Sequence, residues 1–222
     1  MSFASTLPFA ALVTAVAISI ATKLSWRFQP EHRRERFSAV QAAIQNIPDP
    51  VIIFGDSIVE EAALPPRVCG FVLVNAGIGG AGIAYFQRYS AQLLGSSRPK
   101  LIVLAVGIND AGPKTKSNFH FQDRYEQTVA FLASRAPIVV ATITPIQEGI
   151  YVSKLGYNSQ IIPALNRVIL AVPNTTAVID LNGPLSGTNF TTDGVHLNKA
   201  GYAVWTSAIV NGISAALGCI QR

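Results

Sequence analysis

Residues 51–57 form the stretch VIIFGDS, an apolar run followed directly by Gly55, Asp56 and Ser57. Four large apolar side chains in succession are typical of a strand buried on both faces, because a half-exposed strand alternates apolar with polar side chains. The small and polar residues that follow favour a tight turn. The stretch therefore predicts a central strand of a parallel sheet, with Ser57 just beyond its carboxyl end.

Further apolar runs predict four more buried strands, at residues 71–74, 101–106, 138–143 and 177–181. Helical spacing of apolar residues predicts helices at residues 31–47, 81–94, 119–134, 159–170 and 198–217. Such alternation is typical of an α/β fold in which helices cover both faces of a parallel sheet. Ligands bind such sheets at the carboxyl ends of the strands, so we expect the functional residues to follow the apolar runs.

A serine, a histidine and an aspartate of this sequence can form a nucleophilic site. A serine hydroxyl is a weak nucleophile and needs a base, which a third group must orient. Of the three histidines, His32 lies in a basic flank and His120 lies between two phenylalanines. His196 follows a loop rich in Gly, Asn and Thr, with Asp193 three residues before it. We predict Ser57 as nucleophile, His196 as general base and Asp193 as the group that orients the imidazole.

Three groups can donate hydrogen bonds to a developing oxyanion. Ser57 lies at a strand-to-helix turn, where its own N–H can face the site. Gly77 follows the second apolar run and has no Cβ, so its backbone can approach a substrate closely. Asn109 follows the third run and carries a side-chain amide. We predict that Ser57, Gly77 and Asn109 form an oxyanion hole. Removal of one such donor typically lowers turnover by about 10²–10³-fold.

These segments resemble the four sequence blocks of the SGNH, or GDSL-type, hydrolase family. The blocks correspond to residues 55–57 with Ile58 in place of Leu, to Gly77, to residues 107–110 and to residues 193–196. The resemblance implies a three-layer α/β/α sandwich with a five-stranded parallel sheet. It also implies a serine esterase that acts on carboxylic ester, thioester or O-acetyl bonds through an acyl-enzyme on Ser57, without metal or organic cofactor.

Other functions fit parts of the sequence. An acyltransferase would use the same three residues. Residues 77–82 fit the GxGxxG pattern of dinucleotide-binding loops, although no acidic residue ends the next strand. A metal hydrolase could use Asp56, Asp193 and His196 as ligands. A binding module on a degenerate hydrolase fold is disfavoured, because every member of the catalytic set is present.

The amino-terminal part of the chain differs from the rest. Residues 1–22 carry no charged side chain. We predict a membrane anchor or signal segment at residues 1–24, since about 20 apolar residues can cross a bilayer. Residues 25–47 predict a basic flank with an amphipathic helix, and residues 48–218 predict the hydrolase domain. The basic cluster favours a cytoplasmic domain for an anchor, and an exported domain follows if the segment is a signal peptide. The side of the membrane stays open.

Charge and cysteines limit the partners. The net charge is +5, but much of it lies in the amino-terminal flank, so nucleic-acid binding is not expected. The two cysteines, Cys69 and Cys219, lack the spacing of a zinc site. The sequence favours two free thiols, and a disulfide between them stays the alternative. The expected substrate is a small acyl ester, a lipid or an acetylated glycan.

Overall fold

A computed structural model describes residues 30–112, 120–150, 156–187 and 189–219. The strands are β1 (Val51–Gly55), β2 (Arg67–Val68), β3 (Phe71–Gly77), β4 (Leu101–Ala105), β5 (Ile138–Ala141) and β6 (Ala177–Ile179). The α-helices are α1 (Pro30–Asn46), α2 (Ser57–Glu61), α3 (Ile83–Leu94), α4 (Phe121–Ala133), α5 (Ile162–Ala171) and α6 (Lys199–Leu217). Two 3₁₀ turns, Ile108–Ala111 and Ser159–Ile161, follow β4 and precede α5.

The six strands form one sheet in the order β2-β3-β1-β4-β5-β6. All neighbours from β3 to β6 pair in parallel, which confirms the five predicted parallel strands. A sixth strand was not predicted: β2 pairs with β3 in the antiparallel direction at the edge of the sheet. Because β2 contains only two residues, it leaves no apolar run that sequence reasoning could detect.

Helices cover the sheet in layers. The helices α1, α3, α4 and α5 contact one another in succession, while α6 packs on β4, β5 and β6. Every residue of β1 is buried, as its unbroken apolar run predicted. The predicted α/β architecture with a parallel sheet is therefore confirmed. The helix predicted in the basic flank is α1, and it packs against α3 and β3.

The short helix α2 lies very close to the ends of β1 and β3. Gly55 and Gly77 are direct partners in the register of these two strands. A Cβ on Gly55 would overlap the side chain of Val59, and a Cβ on Gly77 would overlap the backbone of Glu60. Both positions therefore require glycine, because only glycine lets α2 pack against both strand ends.

Cys69 and Cys219 form a disulfide, with their Cα atoms 6.0 Å apart. Cys69 lies in the turn between β2 and β3, and Cys219 follows α6. The preference for free thiols was therefore wrong, because the fold brings together two residues separated by 150 positions. The disulfide attaches the last helix to the edge of the sheet.

The predicted anchor or signal segment at residues 1–24 lies outside the described residues and stays a prediction. Within the parts of the chain that are described, no helix combines the length and apolarity needed to span a bilayer.

We expect removal of the disulfide to lower stability. The double variant Cys69→Ala/Cys219→Ala should lose about 2–4 kcal/mol of unfolding free energy, because the bond closes a long loop and restricts the unfolded chain. Denaturant titrations of the parent under oxidising and reducing conditions measure this loss. Reductant should not affect the double variant, and an unchanged midpoint for the reduced parent would contradict the expectation.

Candidate active site

Ser57 is the first residue of α2, directly beyond β1. The Asp56 side chain caps this helix by accepting a hydrogen bond from the Ile58 N–H at 2.9 Å. The first N–H groups of any helix lack intrahelical partners, and such a cap satisfies one of them while it fixes the first turn. Among the described residues, the Ser57 N–H has no acceptor, so it is available to a ligand. Ser57 itself is buried at 4% exposure.

The predicted nucleophile, base and orienting carboxylate lie in one hydrogen-bonded chain. Ser57 Oγ lies 2.9 Å from His196 Nε2, across 139 residues of sequence. His196 Nδ1 lies 2.7 Å from Asp193 Oδ2. With Nδ1–H donating to the carboxylate, Nε2 is left to accept the serine proton. The structure thus brings together the three predicted catalytic residues with the geometry that a serine nucleophile needs.

Asp193 is held by its own turn. Its Oδ1 accepts the backbone N–H groups of Val195 and His196 at 3.0 and 2.8 Å. Burial works to raise the pKa of Asp193, but its hydrogen bonds and the charge of the nearby imidazole hold the pKa below the ordinary value. The carboxylate therefore stays ionised and can stabilise an imidazolium.

Asn109 lies in the 3₁₀ turn that follows β4, and its side-chain amide is hydrogen-bonded at both ends. Its Nδ2 donates to the Ala81 carbonyl at 3.0 Å, and its Oδ1 accepts from the Tyr157 hydroxyl at 3.1 Å. Because a backbone carbonyl can only accept, the bond to Ala81 fixes which end of the amide is nitrogen, and the NH₂ group faces the loop after β3. Its second hydrogen has no acceptor among the described residues.

The Gly77 N–H is already engaged within the fold. It donates to Asn75 Oδ1 at 3.0 Å, which disfavours the prediction that it donates to an oxyanion. The neighbouring N–H groups of Ile78, Gly79 and Ala81 also have acceptors.

Gly80 differs from its neighbours in this loop. Its φ is +71°, a conformation that favours glycine, and among the described residues its N–H has no acceptor. It lies between Gly79, whose N–H is held by Glu60, and Ala81, whose carbonyl is held by Asn109. Sequence reasoning missed Gly80 because every glycine of 77–82 fits a flexible loop equally well.

Two other buried carboxyls brace the site. Burial raises the pKa of Asp56 to about 7 and that of Asp110 to about 6. Asp56 caps α2, and Asp110 Oδ2 accepts from the Ile83 N–H at 3.0 Å. No group of three His, Cys, Asp or Glu side chains with a geometry for metal occurs in the part of the chain that the structure describes.

The glycine-rich loop does not have the form of a phosphate site. In dinucleotide-binding folds the phosphates sit at the amino terminus of the helix after the loop. Here Asp110 occupies that position on α3, and a Cβ on Gly82 would lie 2.9 Å from its Oδ2. A carboxylate at this point opposes an anionic ligand, so the structure disfavours the dinucleotide alternative.

Comparison with known proteins agrees with this geometry. The model of the GDSL-like lipase/acylhydrolase family matches residues 53–204. The chain belongs to this family. The match begins inside β1 and ends inside α6, so this acylhydrolase has all the predicted site residues within the matched segment. A search of curated proteins finds no match.

Solved structures share the fold. A protein from Streptococcus pneumoniae provisionally described as a platelet activating factor is 21% identical, with TM-score 0.70, and the match covers 87% of this chain and 98% of that chain. A lipase/acylhydrolase from Enterococcus faecalis is 20% identical, with TM-score 0.63 and coverages of 75% and 96%. An acetyl xylan esterase is 23% identical, with TM-score 0.61 and coverages of 74% and 99%. At these identities the likeness shows the fold.

The raised pKa of Asp56 predicts a pH dependence of stability. Its pKa is about 7 in the folded acylhydrolase and about 3.9 in an unfolded chain, so the folded state holds the proton more tightly between these values. The free energy of unfolding should therefore fall as pH rises from about 4 to 7. Asp56→Asn keeps an oxygen to cap Ile58 but cannot ionise, so it should lack this contribution.

Thermal unfolding at a series of pH values measures the effect. The melting temperature of the parent should fall relative to that of Asp56→Asn across this window. Asp123→Asn, on the exposed side of α4, is the control and should follow the parent. Parallel curves for the parent and Asp56→Asn would contradict the assignment.

Proposed function

We propose that this chain is a serine esterase that hydrolyses carboxylic ester bonds through an acyl-enzyme on Ser57. The proposal rests on two buried hydrogen bonds. One joins Ser57 Oγ to His196 Nε2, and the other joins His196 Nδ1 to Asp193. Membership of an acylhydrolase family supports the same reaction class.

In the first half of the reaction, Ser57 Oγ attacks the acyl carbon while His196 Nε2 takes its proton. The tetrahedral intermediate collapses, the bond to the leaving alkoxy group breaks, and His196 returns the proton to that oxygen. In the second half, His196 takes a proton from water, whose oxygen attacks the acyl carbon. Collapse of the second intermediate releases the acid, and the proton returns to Ser57.

The oxyanion forms twice and needs donors each time. We assign these to the Ser57 N–H, the Gly80 N–H and the second hydrogen of Asn109 Nδ2. Each lacks an acceptor among the described residues, in a site whose burial strengthens such bonds. The Gly77 N–H would have to leave Asn75 to take part.

The substrate is a small acyl ester, a lipid or an acetylated glycan. An acetyl xylan esterase is one of the similar folds, which makes an acetylated glycan a concrete choice for a first test. Transfer to an acceptor alcohol would use the same residues, but an acylhydrolase family favours water as the acceptor.

The variant Ser57→Ala should lose nearly all ester turnover and keep its fold, because Ser57 carries the only hydroxyl that hydrogen-bonds the His196 imidazole among the described residues. Hydrolysis of p-nitrophenyl esters with acyl chains from acetyl to palmitoyl measures both the loss and the preferred chain length. Ser38→Ala, on the exposed side of α1, is the matched control. Turnover by Ser57→Ala at the parent rate would contradict the proposal.

We also propose that the domain works in an oxidising compartment, attached or delivered through residues 1–24. The disulfide between Cys69 and Cys219 supports this, since such bonds persist mainly outside the cytoplasm. The positive flank argues for the opposite side, so the two observations make different predictions.

Thiol trapping distinguishes the two locations. The full chain is produced in a bacterial host, and a maleimide reagent blocks free thiols before lysis. Export predicts that Cys69 and Cys219 stay unlabelled until a reductant is added. Complete labelling without reductant would indicate a cytoplasmic domain.

A further inference from the structure

The helix α1 holds the backbone of the active-site loop through Arg36. Arg36 Nε donates to the Gly77 carbonyl at 2.8 Å, and its Nη2 donates to the Asn75 carbonyl at 2.8 Å. Nη2 also lies 3.0 Å from Asn75 Oδ1. A planar guanidinium with three such bonds fixes both position and orientation of its acceptors. The carboxyl end of β3, just before the loop that contains Gly80, is thus fixed by a side chain from outside the sheet.

Asn75 extends this contact to α2. Its Oδ1 accepts from both Arg36 and the Gly77 N–H. Its Nδ2 donates to the Val59 carbonyl at 2.6 Å, inside the helix that Ser57 begins. One side chain therefore joins α1, the end of β3 and the helix of the nucleophile.

Glu60 makes a second connection between the same three parts. Its Oε2 accepts the Gly79 N–H at 2.6 Å, and its Oε1 accepts from His32 Nε2 of α1 at 2.7 Å. Glu60 lies three residues after Ser57 in α2. The loop residue that it bonds, Gly79, directly precedes Gly80. His32 and Glu60 are both nearly buried, with 11% of each side chain exposed.

None of the α1 residues falls within the segment that matches the acylhydrolase family, which starts at residue 53. The family match therefore does not account for Arg36 or His32. Yet these two side chains reach the two segments that carry the proposed backbone oxyanion donors, Ser57 and Gly80.

We propose that Arg36 and Glu60, with His32, are positioning residues that set the separation between the Ser57 N–H and the Gly80 N–H. This inference rests on the proposed esterase function. The three side chains do not contact the reacting atoms in this arrangement, and they act by fixing α2 and the loop 77–82 against each other. Their loss should weaken stabilisation of the transition state more than binding of the ester, because the oxyanion exists only in the transition state and intermediate.

The test measures kcat and KM for Arg36→Ala, Glu60→Ala and Glu60→Gln with a p-nitrophenyl ester. The active serine is titrated with a fluorophosphonate, so that each rate refers to folded, reactive protein. Arg36→Ala and Glu60→Ala should each lower kcat by about 10–100-fold, since misplacement of a catalytic group by 1 Å can cost about 100-fold. KM should change by less than about threefold.

Glu60→Gln keeps an oxygen that can accept from Gly79, so it should recover much of the loss seen in Glu60→Ala. Arg34→Ala is the matched control, because it removes the same charge from an exposed position of the same helix. A purely structural role would lower the titratable fraction and the melting temperature while the rate per titrated serine stayed at the parent value.

Two results would overturn the proposal. One is a rate per titrated serine in Arg36→Ala and Glu60→Ala equal to that of Arg34→Ala, and the other is a rise in KM that accounts for the whole loss. Failure of the esterase function itself looks different, since the parent would then show no hydrolysis that depends on Ser57.

Discussion

The close packing of α2 on two strand ends is the constraint on which the site depends. Gly55 and Gly77 face each other across β1 and β3, and a side chain on either would push α2 away. With both side chains absent, the helix begins directly at the edge of the sheet and presents Ser57 there. The same closeness lets Asn75 reach the Val59 carbonyl and lets Glu60 reach the Gly79 N–H. A single steric requirement thus determines where the proposed nucleophile lies and which loop lies beside it.

Burial gives chemically identical carboxyls different roles in this small volume. Asp56 has few compensating charges, so burial raises its pKa to about 7 and it serves as a cap. Asp193 is also buried, but hydrogen bonds from its own turn and from His196 keep its pKa low. Asp193 therefore remains a charge that can stabilise an imidazolium, whereas Asp56 approaches neutrality. The surroundings, and not the residue type, separate the proposed orienting carboxylate from the one that caps a helix.

Residues outside the segment that matches the acylhydrolase family make contacts with it at both ends of the chain. The helix α1 precedes the family match, and its Arg36 holds the Gly77 carbonyl at the end of β3 while its His32 bonds Glu60 of α2. At the other end of the chain, the disulfide attaches the residue after α6 to the turn beside β3. Both additions support β3 from outside, and β3 leads directly into the loop that contains Gly80.

The sequence by itself determined the features that are local. The five parallel strands could be predicted because burial on both faces requires an unbroken apolar run, and the pairing of Asp193 with His196 could be predicted because one turn joins them. Only the tertiary structure decided the two-residue strand β2, the pairing of Cys69 with Cys219, and the engagement of Gly77 by Asn75. It alone brought Arg36 and Glu60 to the loop, because such contacts depend on how segments far apart in the chain pack together. Periodicity and motif spacing report the surroundings of a single segment, and they contain no information about which distant side chain will occupy a given hydrogen bond.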